Sequence, residues 1–249
     1  MPLVFALTLA ALLTAMLSSV AGMGGGTILI GLLYMAGLSH TQAIPLFSAV
    51  QFITGVSRTS AYFRHVEWRA TGWFLLGTGP TSFLVAPYVA KANVHCLELL
   101  LAALIMVSLL PGKANQPVMG PRASFFVAGL LNGSLGMFVG ATGLFLGRLY
   151  LRPEWKKETT IGTLALTLTL GHVARVLGYG LAGYSALADW HLLLPLAVAV
   201  VLGTFAGKWL NGKVSEAQFR TLVTTILWVE SAKLLFDGLT GLGTWPHWN

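Results

Sequence analysis

The chain has 249 residues, of which 55% are hydrophobic and 9% are charged, and its mean hydropathy is +0.76. Soluble domains carry about 25% charged residues, so this chain has too little charge to cover a water-exposed surface. We therefore expect an integral membrane protein of the all-α class. The net charge of +7 then indicates basic cytoplasmic loops rather than nucleic-acid binding. The single cysteine, Cys96, excludes an intrachain disulfide and a cysteine zinc cluster.

Apolar segments follow one another along the chain and are separated by short polar breaks. We predict them at about 3–20, 27–37, 42–62, 70–90, 96–111, 123–135, 137–151, 159–182, 190–210 and 219–239. A full helical crossing needs about 20 residues, so 27–37 and 137–151 are too short to span a bilayer. Because no basic region precedes the first apolar segment, we interpret it as a retained membrane helix rather than a signal peptide.

Each of the two short segments lies beside a glycine cluster. The first cluster is GMGGG at Gly22–Gly26, and the second is GSLGMFVGATG at Gly133–Gly143. Short, glycine-interrupted segments in matching positions of two halves are typical of broken or re-entrant helices at a transporter's substrate site. The small-xxx-small spacing of Gly129 and Gly133 is also typical of close helix packing. The sequence is compatible with both interpretations.

A polar, proline-rich linker at 112–122 separates two halves of related sequence. A shift of 117 residues overlays four pairs, namely Ile44 on Ile161, Val56 on Val173, Arg58 on Arg175 and Tyr62 on Tyr179. This relation predicts two inverted repeats, each with a hairpin and three helices. Repeat 1 is residues 1–111, with a hairpin at 3–37 and helices at about 42–62, 70–90 and 96–111. Repeat 2 is residues 123–249, with a hairpin at 123–151 and helices at about 159–182, 190–210 and 219–239.

Equivalent loops of the two halves have opposite charge character. The loop near 36–41 has no Lys or Arg, whereas its counterpart at 151–158 has three. The loop at 62–69 has two arginines, whereas its counterpart at 181–190 has no basic residue. Because basic loops face the cytoplasm, the halves are predicted to be inserted in opposite orientations, with both termini external. We expect a multi-pass protein of the cell inner (cytoplasmic) membrane.

Several stretches carry a family resemblance. They are GMGGGTILI after the first span, AIPLFSAVQF, AYFRHVEWRA and, in the second half, TTIGTL and DWHLLLPLAVAVVLGTFAGKWL. Over nearly its whole length the chain resembles the sulfite exporter TauE/SafE family, also called toluene sulfonate uptake permeases. The resemblance implies a transporter of small anions, often sulfur-containing ones such as sulfite, sulfonates or sulfoacetate. Gly31 replaces a proline common in the family and the second glycine run is loosened to GATG, so substrate identity does not transfer.

Two arginines within predicted spans, Arg58 and Arg175, are the leading substrate-binding candidates. A guanidinium group stays charged in a low dielectric, and its planar fork matches the oxygens of a sulfonate, sulfite or carboxylate. Inside a membrane it needs carbonyls, an acid, water or an anionic ligand. Because the two positions are equivalent in the repeats, we predict that they flank one anion across a pseudo-twofold axis. The alternative is that both side chains snorkel to lipid headgroups.

Backbone groups and neutral side chains complete the predicted site. The helix starts that follow the glycine clusters present free N–H groups and a partial positive charge to an oxyanion. Hydroxyl and amide groups on the arginine-bearing spans can bind a ligand, or they can serve as interhelical hydrogen bonds. The predicted substrate-binding residues are Arg58, Arg175, Gly24, Gly25, Gly26, Thr27, Gly140, Thr142, Gly143, Ser48 and Gln51.

Two further ionisable residues lie within predicted spans. His172 precedes Arg175 by three residues and shares its helix face, so it is a candidate for proton coupling, with helix packing as the alternative. Glu230 is expected to pair with Lys233 at i+3 rather than to take part in coupling.

We therefore expect a secondary transporter that moves a small anion by alternating access. The expected partners are the anion, the lipid bilayer and a coupling H+ or Na+, with a homodimer as one possible assembly and no nucleic acid. No metal-ligand spacing or catalytic motif is present, and GMGGG lacks the spacing of a nucleotide-binding loop. We expect no enzyme activity, no cofactor and no metal. The alternatives are a transporter of a small carboxylate, an anion channel, or a membrane-embedded enzyme or assembly factor.

Overall fold

The computed structural model describes residues 2–21, 24–110, 119–150, 152–210 and 216–243, and no strand occurs among them. The all-α prediction is confirmed. Short 3-10 turns lie at Phe63–His65, Ala86–Lys91 and Gly147–Tyr150. The α-helices are α1 (Pro2–Ala21), α2 (Gly25–Met35), α3 (His40–Tyr62), α4 (Trp68–Val85), α5 (Val94–Leu109), α6 (Pro121–Gly133), α7 (Leu135–Val139), α8 (Gly143–Leu146), α9 (Lys157–Leu181), α10 (Trp190–Leu210) and α11 (Glu216–Gly243).

The outer surface of the helices is apolar. Large hydrophobic side chains stand exposed along several of them, including Phe5, Leu84, Leu181 and Phe205. Such a surface suits lipid, which cannot hydrogen-bond a backbone and so favours helices. Four stretches are long and apolar enough to cross a membrane, namely Pro2–Ser19, Pro121–Val139, Glu158–Leu181 and Trp190–Trp209. The chain is a multi-pass membrane protein.

Two predicted segments differ from the helices observed. The segment at 70–90 ends as an α-helix at Val85 and continues as a 3-10 turn, because Pro87 has no backbone N–H to continue the helix. The segment at 137–151 is divided into α7, α8 and a 3-10 turn. The start of the first glycine cluster, Gly22 and Met23, lies outside the described residues, and so do residues 111–118, which include most of the linker.

The helices of the two predicted halves pack against each other in four main pairs. These pairs are α1 with α10, α4 with α6, α3 with α9, and α5 with α11. In the predicted repeats, α1 corresponds to α6, α3 to α9, α4 to α10 and α5 to α11. Exchanging each helix for its counterpart converts the pair α1 and α10 into the pair α6 and α4. The same exchange leaves the pairs α3 with α9 and α5 with α11 unchanged. A twofold relation between repeats requires this pattern. The packing is compatible with the predicted repeats, which remain a prediction.

Glycines let paired helices approach to backbone contact. On α4, a Cβ added at Gly77 would lie 2.5 Å from the carbonyl oxygen of Phe126 on α6. On α10, a Cβ added at Gly203 would meet the carbonyl oxygen of Leu12 on α1. Small residues at such positions allow close van der Waals packing in membranes, where hydrophobic burial between helices gives little driving force.

The packing predicts that Gly77→Ala lowers the thermal midpoint of the detergent-solubilised protein. The added methyl group would overlap the Phe126 carbonyl, and such overpacking costs about 1–3 kcal/mol. Gly72→Ala on the same helix is the control, because a Cβ at Gly72 meets no atom within 4 Å. We expect the control to unfold at the wild-type temperature or slightly above it, since alanine favours helix. Equal midpoints for the two variants would contradict the α4–α6 packing.

Candidate functional site

The second glycine cluster forms a break between two short helices. α7 ends at Val139 and is followed by Gly140, whose φ is +75°, and the chain then passes through Ala141 and Thr142 before α8 begins at Gly143. Glycine adopts this positive φ without the steric cost of a Cβ. Gly140, Ala141 and Thr142 are buried. Irregular backbone at membrane depth is tolerated where protein groups or a water-filled cavity satisfy its polar atoms.

Three side chains donate hydrogen bonds to the carbonyl groups around this break. The Tyr179 hydroxyl donates to the Met137 carbonyl at 2.7 Å, and the Tyr34 hydroxyl donates to the Phe138 carbonyl at 3.2 Å. Arg175 Nη1 donates to the Gly140 carbonyl. Because Tyr34 lies on α2 while Arg175 and Tyr179 lie on α9, the break is held from both predicted halves of the chain.

Arg175 is completely buried, with 0% of its surface exposed. Besides Gly140, its Nη1 donates to His172 Nδ1 at 2.9 Å, and its Nη2 donates to Asn132 Oδ1 at 2.6 Å and to Thr142 Oγ1 at 3.4 Å. Its Nε has no hydrogen-bond partner within the described part of the chain. All four acceptors are neutral, so a permanent positive charge is buried here without an ion pair among the described residues.

The contact with Arg175 determines which nitrogen of the His172 ring carries the proton. A guanidinium group only donates, so His172 Nδ1 accepts and the neutral ring carries its proton on Nε2. A second proton on Nδ1 would require the 2.9 Å hydrogen bond to break. The His172 ring also makes a T-shaped contact with Phe47, with ring centroids 5.6 Å apart. His172 therefore helps to hold Arg175 in place, and its predicted proton-coupling role stays untested.

The structure places the two arginines in different surroundings. Arg58 is partly buried on α3, and its Nη2 donates to Ser18 Oγ near the end of α1 at 3.1 Å. The helices α3 and α9 are antiparallel, since Phe47 lies beside His172 whereas a Cβ at Gly162 would lie 2.8 Å from the Tyr62 carbonyl. Because Thr59 Oγ1 contacts Thr169 Oγ1 at 3.3 Å, Arg58 and Arg175 are separated by more than one helical turn along the helix axes.

The first glycine cluster forms the start of α2. Gly24 has a φ of +97° and precedes the helix, while Gly25, Gly26 and Thr27 form its first turn. A Cβ at Gly25 would overlap the Thr14 carbonyl of α1, and a Cβ at Gly26 would overlap the Gln51 amide of α3. Three of the predicted positions, Gly26, Gln51 and Thr27, are therefore near one another, and this turn packs tightly into the bundle.

Two other predicted residues, Ser48 and Gly143, differ in the hydrogen-bonding groups that they present to a ligand. Ser48 is fully buried on α3, and its Oγ has no hydrogen-bond partner among the residues described. Gly143 begins α8, which has only four residues, so its dipole is weaker than that of a longer helix. Thr142 accepts a hydrogen bond from Arg175, whereas Gly143 makes no hydrogen bond with Arg175.

The sequence reasoning missed Asn132, which lies at the centre of the site. Its Oδ1 accepts from Arg175 Nη2 at 2.6 Å and from Thr142 Oγ1 at 2.8 Å, while its Nδ2 faces Thr78 Oγ1 on α4 at 3.5 Å. Its side chain is completely buried. A lone amide in an apolar helix, directly before the second glycine cluster, is the sequence signal that identifies it.

The predicted pairing of Glu230 with Lys233 is wrong. Lys233 is exposed and its Nζ pairs with Asp237 at i+4, 2.5 Å from Oδ2. Glu230 lies on the buried face of α11 with its carboxyl group against Gly31 of α2. The spacing i+3 allowed the contact, but the two side chains point toward different environments.

A bundle of apolar helices with a broken segment and a buried cation is the architecture expected of a membrane transporter. The family described as TauE, sulfite exporter TauE/SafE, matches residues 7–234. The chain therefore belongs to the sulfite exporter TauE/SafE family, as its sequence motifs predicted. No curated protein and no solved structure matches it.

The Asn132 contacts predict that Asn132→Ala lowers the thermal midpoint in detergent. The variant leaves Arg175 Nη2 and the Thr142 hydroxyl without their shared acceptor, and a buried polar group left unpaired costs about 1–3 kcal/mol, or more for a charged group. Asn132→Asp is the matched variant, because it keeps the acceptor and adds an opposite charge. We expect it to unfold at or above the wild-type temperature. A midpoint for the alanine variant equal to wild type would show that Asn132 does not hold the guanidinium.

Proposed function

We propose that the chain is a secondary transporter for a small anion, with a sulfur-containing oxyanion or organosulfonate such as sulfite or sulfoacetate as its substrate class. The observation that carries the proposal is the buried Arg175, which has neutral acceptors and an Nε left over. Desolvating a charge costs several kcal/mol unless an opposite charge compensates it. A bound anion would supply that charge.

The chemistry around Arg175 favours an oxyanion. A guanidinium group binds two oxygens of one ligand in its plane, which matches sulfite, a sulfonate or a carboxylate. Ser48 could add a hydroxyl donor, since its hydroxyl lacks a partner among the described residues, whereas the Thr142 hydroxyl already donates to Asn132. A small carboxylate has a similar two-oxygen edge, so a carboxylate transporter is the second candidate.

We further propose that residues 1–111 and 123–249 are inverted repeats that rock against each other to give alternating access across the cytoplasmic membrane. The exchange pattern of the helix pairs supports this relation. Arg58 would take the role of Arg175 in the opposite conformation, because each arginine reaches the helix before its own glycine cluster. The two arginines would thus serve the anion in succession.

The proposal predicts that Arg175→Ala abolishes anion flux into proteoliposomes supplied with sulfite, sulfoacetate or lactate. Removing the buried partner of an ion pair costs about 3–5 kcal/mol, so the flux should fall at least about 100-fold. Arg58→Ala should also lower the flux. Arg64→Ala, which removes an exposed arginine just after α3, is the control and should transport like wild type.

The relative fluxes of the different substrates, together with the kinetics of the flux, distinguish the candidate functions. Faster flux of sulfite or sulfoacetate than of lactate supports the sulfur oxyanion, and the reverse order supports the carboxylate. Saturable flux with counterflow is expected of a carrier, whereas unitary conductance in planar bilayers would identify a channel. Wild-type flux through Arg175→Ala would overturn the proposed site.

A further inference from the structure

A second ionisable group, Glu230 on α11, is buried without an ion pair among the described residues. It is 5% exposed, and neither carboxyl oxygen has a hydrogen-bond partner within the part of the chain described. The carboxyl group occupies the space beside Gly31 on α2, where an added Cβ would overlap Oε1. Gly31 therefore provides the room for this side chain, which a larger residue at the same backbone position would displace.

The charged groups around Glu230 are engaged elsewhere. α11 packs against α5, α2 and α1. On α5, His95 Nδ1 pairs with Glu98 at 3.0 Å, and on α2 the Tyr34 hydroxyl donates to the Phe138 carbonyl. The helix α1 contains no ionisable side chain. On α11 itself, Lys233 pairs with Asp237, and the side chains of residues 216–220 lie outside the described set.

The helix α2 joins Glu230 to the Arg175 site through two adjacent residues. A Cβ at Gly140 would lie 3.3 Å from Ile30 Cγ1, so Ile30 packs against the break whose carbonyl accepts from Arg175. The next residue, Gly31, faces the Glu230 carboxyl group. A movement of α2 that follows a change at the break would therefore also change the surroundings of Glu230.

The charges on Arg175, Glu230 and a bound anion can sum to zero in two ways. With the anion site empty, a Glu230 carboxylate would bring the sum of the charges on Arg175 and Glu230 to zero, although the two groups are not in contact. With a monovalent anion on Arg175, a negative Glu230 would leave a surplus buried charge, whereas a protonated Glu230 would leave none. An uncompensated buried charge costs several kcal/mol, and a protonated carboxyl group avoids that cost. Neutrality thus links one proton to one anion.

We propose that Glu230 is a proton-binding site, and that one proton crosses the membrane with each monovalent anion. This inference rests on the proposed anion transport and gives it a coupling ion. The proton binds a Glu230 carboxylate oxygen when the anion occupies the Arg175 site, and it leaves from the same oxygen after the anion leaves. Glu230 is a better candidate than His172, because His172 Nδ1 would have to give up its hydrogen bond from Arg175 to take a second proton.

The transport test uses proteoliposomes whose outside is one pH unit more acidic than the lumen. Methanesulfonate is the probe because it stays a monoanion at neutral pH, whereas sulfite itself changes charge there. We expect wild type to accumulate it up to about tenfold, the limit for one proton per anion. A potassium diffusion potential set with valinomycin should not change the accumulation, because the coupled movement is electroneutral.

Glu230→Gln is the decisive variant, and Glu98→Gln is its matched control because Glu98 is also buried but is paired with His95. We expect Glu230→Gln to lose the accumulation driven by the pH gradient and to keep exchange of internal for external methanesulfonate. Glu98→Gln should keep both. Gradient-driven accumulation by Glu230→Gln equal to wild type, or wild-type accumulation that follows membrane potential instead of pH, would overturn the inference.

A second measurement is independent of flux. Infrared difference spectra recorded between acidic and basic pH should show the C=O stretch of protonated carboxylic acids in wild type and Glu98→Gln, and the component of this band that comes from Glu230 should be missing in Glu230→Gln. Failure of sulfite, sulfoacetate, lactate and methanesulfonate to cross wild-type proteoliposomes would overturn the proposed function, while the infrared band would still report proton binding at Glu230. A spectrum in which Glu230→Gln retains the whole band would overturn Glu230 as the proton site.

Discussion

The hydrogen bonds that hold the Arg175 guanidinium against the broken helix are the interaction on which the rest of the site depends. The break leaves carbonyl groups at membrane depth, and water is not freely available there to satisfy them. Arg175 supplies one donor and brings a permanent charge with it. Since its acceptors on Asn132, Thr142, His172 and Gly140 are neutral, the break is stabilised without the charge being neutralised.

This arrangement explains why the neighbouring helices have their particular residues. Tyr34 and Tyr179 satisfy two further carbonyls of the break, so its shape does not depend on Arg175 alone. Glycines allow α2 and the helix pairs to approach closely enough to exclude solvent from the guanidinium. The two terminal nitrogens of the guanidinium donate to neutral groups, while Nε makes no hydrogen bond within the described part of the chain. A group that both closes a break and retains an unused donor can stabilise the fold and bind a ligand.

Much of the fold followed from hydropathy, because lipid imposes long apolar helices with few charges. Arg175 was also predictable, since an intramembrane arginine is rare in such a sequence, and Thr142 was predicted from its place in the second glycine cluster. The other partners of Arg175 were not. Asn132 acquires its role through the packing of α6 against α9, and Glu230 faces Gly31 because of the rotation of α11. The separation of Arg58 from Arg175 along the helix axes follows from the antiparallel packing of α3 and α9. The sequence alignment of the two halves shows that the arginines occupy corresponding positions, but it does not show how far apart they lie.

The most direct test of the central claim is to locate the anion. A structure determined with selenite, a heavier analogue of sulfite whose selenium is identified by anomalous scattering, would place the ligand without reference to transport. The account predicts an anomalous peak beside Arg175 within hydrogen-bond distance of Nε, with Thr142 and Asn132 around it. A well-occupied peak elsewhere in the bundle, with the Arg175 surroundings empty, would contradict it.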